Sequence, residues 1–331
     1  MNSSPSEPAP TDQPSRPLID GKDMVLLALL PVLTLLSWST PERHWPTIAT
    51  HLAALRWASR GALSETERAR IAAIVGTGAA ESSLEAYWRS NLGHKYQSWL
   101  QLLRCYQPRR YQVAAQLEGE EHIQSALAAG RGAILWVATF AYSDLLTKLS
   151  LCRAGYAINH LSRSSHGFSN TRFGRTLFNP IQTRIERRFL AERLVMSANN
   201  TVGPLRRLAA RLKDNQLVSI TATPLGRRLQ TAPFLDGRIQ IATGALSLAH
   251  QSGAPVLPVV TVAHSDGTFV THIEPVLPVY PNLPRDQAMD AMFASYLLLL
   301  ESYVRRYPDQ FCFSTSEHET APLIDAVGSS A

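Results

Sequence analysis

The 331-residue chain is poor in charge and in cysteine. Charged residues make up 18 % of it, below the roughly 25 % of an average globular chain. Its three cysteines, Cys105, Cys152 and Cys312, are too few and too scattered for a disulfide framework or a zinc site. They fit a reducing compartment, where buried thiols serve as small apolar residues. There is no P-loop, no GxSxG elbow, no HExxH and no CxxC. Ile71–Ala80, IAAIVGTGAA, imitates the start of a dinucleotide fingerprint, but Glu81 occupies the third glycine position and would repel a pyrophosphate. Carboxylate pairs suited to glycoside chemistry do not stand out. Basic residues are not interleaved with base-stacking aromatics, so nucleic acid is not an expected partner. No metal and no resident cofactor are expected.

What is present is apolar and basic. The hydrophobic fraction is 45 %, enough for a sizeable core, and the formal net charge is +6. Arg greatly outnumbers Lys, and Arg is the better bidentate partner for phosphate or carboxylate. Residues 1–18 are rich in Ser and Pro and read as a disordered tail. Met24–Trp38 follows, an uncharged run that is short against the roughly 20 residues of a membrane span. It reads as a helix lying on or dipping into a bilayer, with a buried core helix as the alternative. Asp23 directly before it and the lack of a small-residue cleavage site argue against a signal peptide.

Apolar spacing predicts helices over 42–60 and 82–106, with Ser64 and Glu67 forming a capping box between them. After Pro108 short apolar runs alternate with helical patterns. Strands are predicted at 132–139, 156–161, 193–196, 217–221, 254–262 and 268–273. Helices are predicted at 145–151, 172–190, 202–213, 243–251 and 285–306. That alternation means an α/β fold, a mostly parallel sheet flanked by helices. The expected division is a tail (1–18), a helical membrane-associating region (19–110), an α/β region (111–316) and a second tail (317–331).

The stretch from Leu117, LEGEEHIQSALAAGRGAILWVATFAYSD, reads as an acidic-capped helix, a glycine turn, a strand and a short polar turn before a helix. It resembles the late acyltransferases of lipid A synthesis, within the lysophospholipid acyltransferase superfamily. There a G-x-E-x-L and G-K-G stretch leads into an H-x4-D/E motif. Here that motif falls on Thr139 to Asp144: the acid is kept and Thr139 stands in the histidine's place. Thr231–Gly244, Leu248–Pro258 and Pro308–Phe311 match further segments in order, so the likeness runs over about residues 20–315.

The resemblance implies a glycerolipid-acyltransferase-like fold and transfer of a fatty acyl group from acyl carrier protein or acyl-CoA to a hydroxyl or amine of a lipid or lipid-like acceptor. It implies work at the cytoplasmic face of the inner membrane. In the family a histidine takes the acceptor's proton and the neighbouring acid orients its ring. Threonine cannot do that near neutral pH, and Thr221-Ala222-Thr223 lacks a second carboxylate the family carries. His166, in LSRSSHGF after the second predicted strand, is the candidate replacement base, with Asp144 as its partner and Thr139 lining the site. His160 reads as a packed strand residue. Arg163 and Arg187 are candidate phosphate contacts, drawn from a cluster that also holds Arg172, Arg175, Arg184, Arg188, Arg193, Arg206, Arg207 and Arg211. Tyr142 and Ser143 are candidate donors to an oxyanion. Two other outcomes stay open: a degenerate lipid- or acyl-carrier-binding protein on this fold, and a structural partner of another membrane enzyme.

Overall fold

The computed structural model describes residues 17–107, 113–197, 200–312 and 323–326. Residues 1–16 of the expected tail at 1–18, and most of 317–331, lie outside them. Four helices come first: α1 (Gly21–Ser39), α2 (Trp45–Arg60), α3 (Glu65–Val75) and α4 (Glu81–Arg104). α1 is longer than the uncharged run predicts because Asp20 and Asp23 form a capping box that starts it earlier. At 19 residues it is long and apolar enough to cross a membrane. Its buried positions, Asp23, Leu26, Leu30, Leu33 and Ser37, recur at spacings of three and four. They form one inward stripe. Met24, Leu27, Val32, Leu35 and Trp38 are exposed. The false dinucleotide segment is helix α3, ended at Gly76 with φ +117°.

The α/β region follows with β1 (Ala115–Glu118), α5 (Glu120–Ala128), β2 (Ala133–Val137), α6 (Lys148–Arg153) and β3 (Ile158–Arg163). Then come α7 (Arg172–Leu177), α8 (Asn179–Glu186), β4 (Glu192–Met196), α9 (Val202–Lys213) and β5 (Leu217–Thr221). β6 (Leu229–Phe234), β7 (Gly237–Ala242), α10 (Gly244–Ser252), β8 (Val256–Ala263), β9 (Phe269–Ile273), α11 (Arg285–Arg306) and β10 (Leu323–Ala326) complete it. Seven strands form one sheet in the order β1-β9-β8-β2-β5-β3-β4. Every neighbouring pair is parallel except β8–β9. A separate antiparallel sheet, β10-β7-β6, was not legible in the sequence, and its third strand falls in the segment read as a tail.

The sheet is covered on both faces, which is why its strands are near-continuous apolar runs. Along β2, Ile134 and Trp136 join the core under α9, α10 and α11, while Leu135 and Val137 join the one under α5 and α6. Two glycines of the family-like stretch are required by close approach. A Cβ on Gly119 (φ +76°) would sit 2.0 Å from the Ile273 carbonyl oxygen, and one on Gly132 (φ +63°) 2.5 Å from that of Gln216. A third apolar cluster joins Leu26, Leu30 and Leu33 of α1 to Leu100 and Leu103 of α4, to Leu145, Leu146 and Leu149, and to Phe168 and Phe178. Each such leucine contributes about 1.5–3 kcal/mol when fully buried. This cluster lays the helical region against the segments that follow β2 and β3.

Strand order reverses direction at β2. The chain adds β3, β4 and β5 on one side of it, then β8 and β9 on the other. Open α/β sheets bind ligands beyond the carboxyl ends of their strands at such a switch point.

Candidate active site

A cavity of about 1360 Å³ opens at that point, beyond the carboxyl ends of β2, β3 and β5. Val25, Leu29, Leu92, Tyr96, Trp99 and Phe168 give it an apolar wall drawn largely from α1 and α4. Its polar wall holds Thr139, Asp144, Lys148, His160, His166 and Gln182. Arg163, Arg206, Arg227 and Arg228 also reach it, so cations outnumber carboxylates there and an anionic ligand is favoured.

The turn after β2 is built by the chain's closing segment. Cys312 N–H donates to the Thr139 carbonyl at 2.9 Å, and Ala141 N–H to that of Gln310 at 2.8 Å. The Gln310 side chain pairs with both backbone groups of Ala263 at 2.7 and 2.8 Å, tying the turn to the end of β8. Thr139 is on the cavity wall, and its hydroxyl has no hydrogen-bond partner among the described residues. A π-helical turn, Ser143–Thr147, then carries Asp144 into α6 with its carboxylate side exposed.

His166 lies beside Asp144, with one residue between them. Gln182 Nε2 is 3.2 Å from Asp144 Oδ2, 2.7 Å from Glu186 Oε1 and 3.2 Å from His166 Nε2. Glu186 Oε1 is itself 2.8 Å from His166 Nε2, and Glu186 Oε2 takes a 2.8 Å hydrogen bond from Lys148 Nζ. One tautomer satisfies these contacts. His166 donates Nε2–H to Glu186, and the two amide hydrogens of Gln182 go to Asp144 and Glu186. His166 Nδ1 then has no protein partner among the described residues.

Glu186 is fully buried and His166 is 17 % exposed. Burial disfavours both charges, yet the four groups Lys148, His166, Glu186 and Asp144 balance as two cations and two anions. The Glu186 and Asp144 carboxylates outweigh burial and raise His166 above its ordinary value. The His166 and Lys148 charges likewise outweigh burial and hold the Glu186 carboxyl well below the usual carboxylate range.

Sequence reasoning missed Lys148, Gln182 and Glu186. Two signals point to them: Asp144 and Lys148, and Gln182 and Glu186, are i,i+4 pairs of polar residues inside otherwise apolar helical faces.

Four of the expected site residues fall elsewhere or are already engaged. Tyr142 is buried outside the cavity wall, its hydroxyl held at 2.8 Å by both His94 Nδ1 and Gln97 Oε1 of α4. Its side chain is directed into α4 and away from the cavity, so it has no route to an oxyanion there. Arg187 is exposed on the 3-10 turn after α8 and is not on the cavity wall. Ser143 reaches the wall, but its hydroxyl accepts the Phe140 N–H at 3.1 Å and so fixes the turn. Arg163 is on the wall, with its guanidinium donating to the Leu225 carbonyl. Of the remaining arginines, Arg207 and Arg211 pair with Glu192, and Arg193 donates to Ser162. His160 is packed in β3 and is also on the cavity wall. Among the described residues no group of three or more His, Cys, Asp or Glu side chains converges as a metal cage would.

The loop that carries His166 is fastened to α1. Asp23, fully buried, accepts from Ser169 Oγ at 2.6 Å and Thr171 Oγ1 at 2.5 Å. The Arg172 and Phe173 amides donate to the carbonyls of Pro17 and Leu18.

A family model described as bacterial lipid A biosynthesis acyltransferase matches residues 94–314, more than half of the chain. No curated protein matches the sequence.

Proposed function

Because the chain belongs to the bacterial lipid A biosynthesis acyltransferase family, we propose that it moves a fatty acyl group from acyl carrier protein or coenzyme A to a hydroxyl or amine of a lipid acceptor. The observation that carries this reading is the cavity at the β2 switch point, where an apolar wall meets the Asp144–Gln182–His166–Glu186 network. The apolar wall suits the acyl chain, and the arginines at its rim suit an anionic headgroup or carrier phosphate. α1 lies at the cytoplasmic face of the inner membrane and offers its exposed apolar side to the lipid.

In this reading His166 is the proton-exchanging histidine that lies nearest Asp144, across Gln182. Glu186 holds Nε2, so proton exchange runs through Nδ1. The surrounding carboxylates favour the imidazolium, which suits His166 to stabilise the thioester oxygen and protonate the departing sulfur better than to act as resting base. Asp144, across Gln182, orients this network, and the Thr139 hydroxyl is a donor to the developing oxyanion.

Purified full-length protein should transfer a radiolabelled decanoyl group from acyl carrier protein or coenzyme A to a lipid A precursor. His166→Ala and Asp144→Asn should both reduce that transfer; full activity in both rejects these assignments. Thr139 favours a second reading, a scaffold that holds lipid or acyl carrier without turnover. Co-purifying lipid together with no transfer from either donor would select it.

A further inference from the structure

The proposed reaction needs one group that takes the acceptor's proton and another that protonates the departing sulfur, and one histidine does not do both at once. A second histidine stands on the same wall. His160 of β3 is the register partner of Ser219 on β5, and its Nδ1 is 2.7 Å from Ser219 Oγ. The two residues are only 4 % and 3 % exposed, yet both line the cavity. A histidine that merely fills a core is sealed on both nitrogens. His160 has its second nitrogen, Nε2, without a protein hydrogen bond among the described residues.

The charged and titratable groups around it come from four segments: Lys148 of α6, Glu186 of α8, His166 of the loop after β3 and Arg193 of β4. Burial pushes His160 well below its ordinary value, and Lys148 adds to that; Glu186 opposes it without prevailing. A neutral ring with Nδ1–H donated to Ser219 leaves the Nε2 lone pair available. Two histidines of one cavity are thus shifted in opposite directions, the arrangement acid–base chemistry requires.

Resting on the acyl-transfer reading, we propose that His160 is the general base of the reaction, held by Ser219 through Nδ1–H and accepting the acceptor's proton at Nε2. The acceptor O–H or N–H bond breaks and its proton goes to Nε2. The freed oxygen or nitrogen bonds to the thioester carbonyl carbon. The C–S bond breaks and the sulfur takes its proton from His166. His160 then returns its proton to solvent, from which His166 is recharged. Ser219 is a positioning residue.

Two measurements test this. In the first, thiol release from decanoyl-coenzyme A with a lipid A precursor is followed across pH for the full-length chain in detergent. His160→Gln should lower kcat by about 100-fold or more and abolish the acidic limb of the profile, and His166→Gln should abolish the alkaline limb. Ser219→Ala should lower kcat less, and Ser219→Thr, which keeps a hydroxyl, should restore it. Wild-type turnover with an unchanged His160→Gln overturns this inference alone; wild type without turnover on any acceptor overturns the parent reading. A hydroxylamine-labile acyl group on Ser219 also overturns it, because His160 would then activate an enzyme nucleophile. The second measurement needs no turnover. Nitrogen-15 histidine spectra should show His160 as the neutral Nδ1–H tautomer throughout about pH 6–8 while His166 is protonated at the lower end. Ordinary titration of His160, or an Nε2–H tautomer, overturns it.

Discussion

Two of the histidine–carboxylate pairs among the described residues, His94–Asp309 and His166–Glu186, make an instructive contrast. His94 of α4 has Nε2 3.3 Å from Asp309 Oδ2 and Nδ1 2.8 Å from the Tyr142 hydroxyl, so both ring nitrogens are engaged. His166 has one nitrogen engaged with Glu186 and lines the cavity; His94 does not. In side-chain exposure they are close, at 21 % and 17 %. The pairing of a histidine with an acid therefore does not mark a reactive site here. What marks it is a second nitrogen left open on a ligand-sized space. The Asp309 pair fastens the closing segment to α4, where Ser90 and Asn91 also bind residues of the Pro308–Phe311 turn.

The difference can be broken from its reactive side first. His166→Gln should cost about 10²–10⁴-fold in acyl transfer, the usual range for a positioned proton donor. His94→Gln should leave transfer within a few-fold of wild type, measured in the same assay. Next in size is Glu186→Gln, which strands the buried Lys148 ammonium. Removing one partner of such a pair costs about 3–5 kcal/mol, to be read from urea unfolding. A loss under about 1 kcal/mol would show that the Lys148–Glu186 pair is not buried as described.

The pH dependence sharpens the comparison. His166 is raised in the folded protein, so its share of stability is complete below its unfolded value near pH 6.5 and is lost as pH rises through the folded value. Glu186 is depressed, so its share is present above its unfolded value near pH 4.3 and fades as pH falls below it. Tm measured against pH should accordingly fall on both sides, and His166→Gln should flatten the alkaline side and weaken the acidic one, because the His166 charge also helps to depress Glu186. The smallest effect is expected at the structural pair. His94→Gln should lower stability by about 0.5–1.5 kcal/mol, the net worth of a typical hydrogen bond, and an unchanged Tm would show the pair to be idle.

The α/β alternation was readable because α9, β5 and α11 have strong local periodicity, and their predicted limits coincide with the observed ones. The β6–β7 hairpin escaped although Asp236-Gly237 is a turn signal, because its strands are half-exposed and its turn places Leu235, an unusual residue there, at φ +53°. The site was legible as far as Asp144, His166 and Thr139 lying on one cavity. Glu186 and Gln182 were not legible, because α8 brings them from twenty residues downstream of the strand they serve. Tyr142 was misread since its direction depends on the π-helical turn that starts one residue later. Arg187 was chosen from a run of arginines whose facing is decided by the 3-10 ending of α8.

The buckle between Asp23 and the Ser169–Thr171 hydroxyls bears on how the protein can be handled. Trimming away the greasy leading helix is the obvious route to a soluble sample. That cut would also remove the carboxylate on which two otherwise buried hydroxyls depend, a few positions from His166. Such a fragment would be expected to stay in solution and yet lose its chemistry, so its silence would say nothing about what the whole chain does.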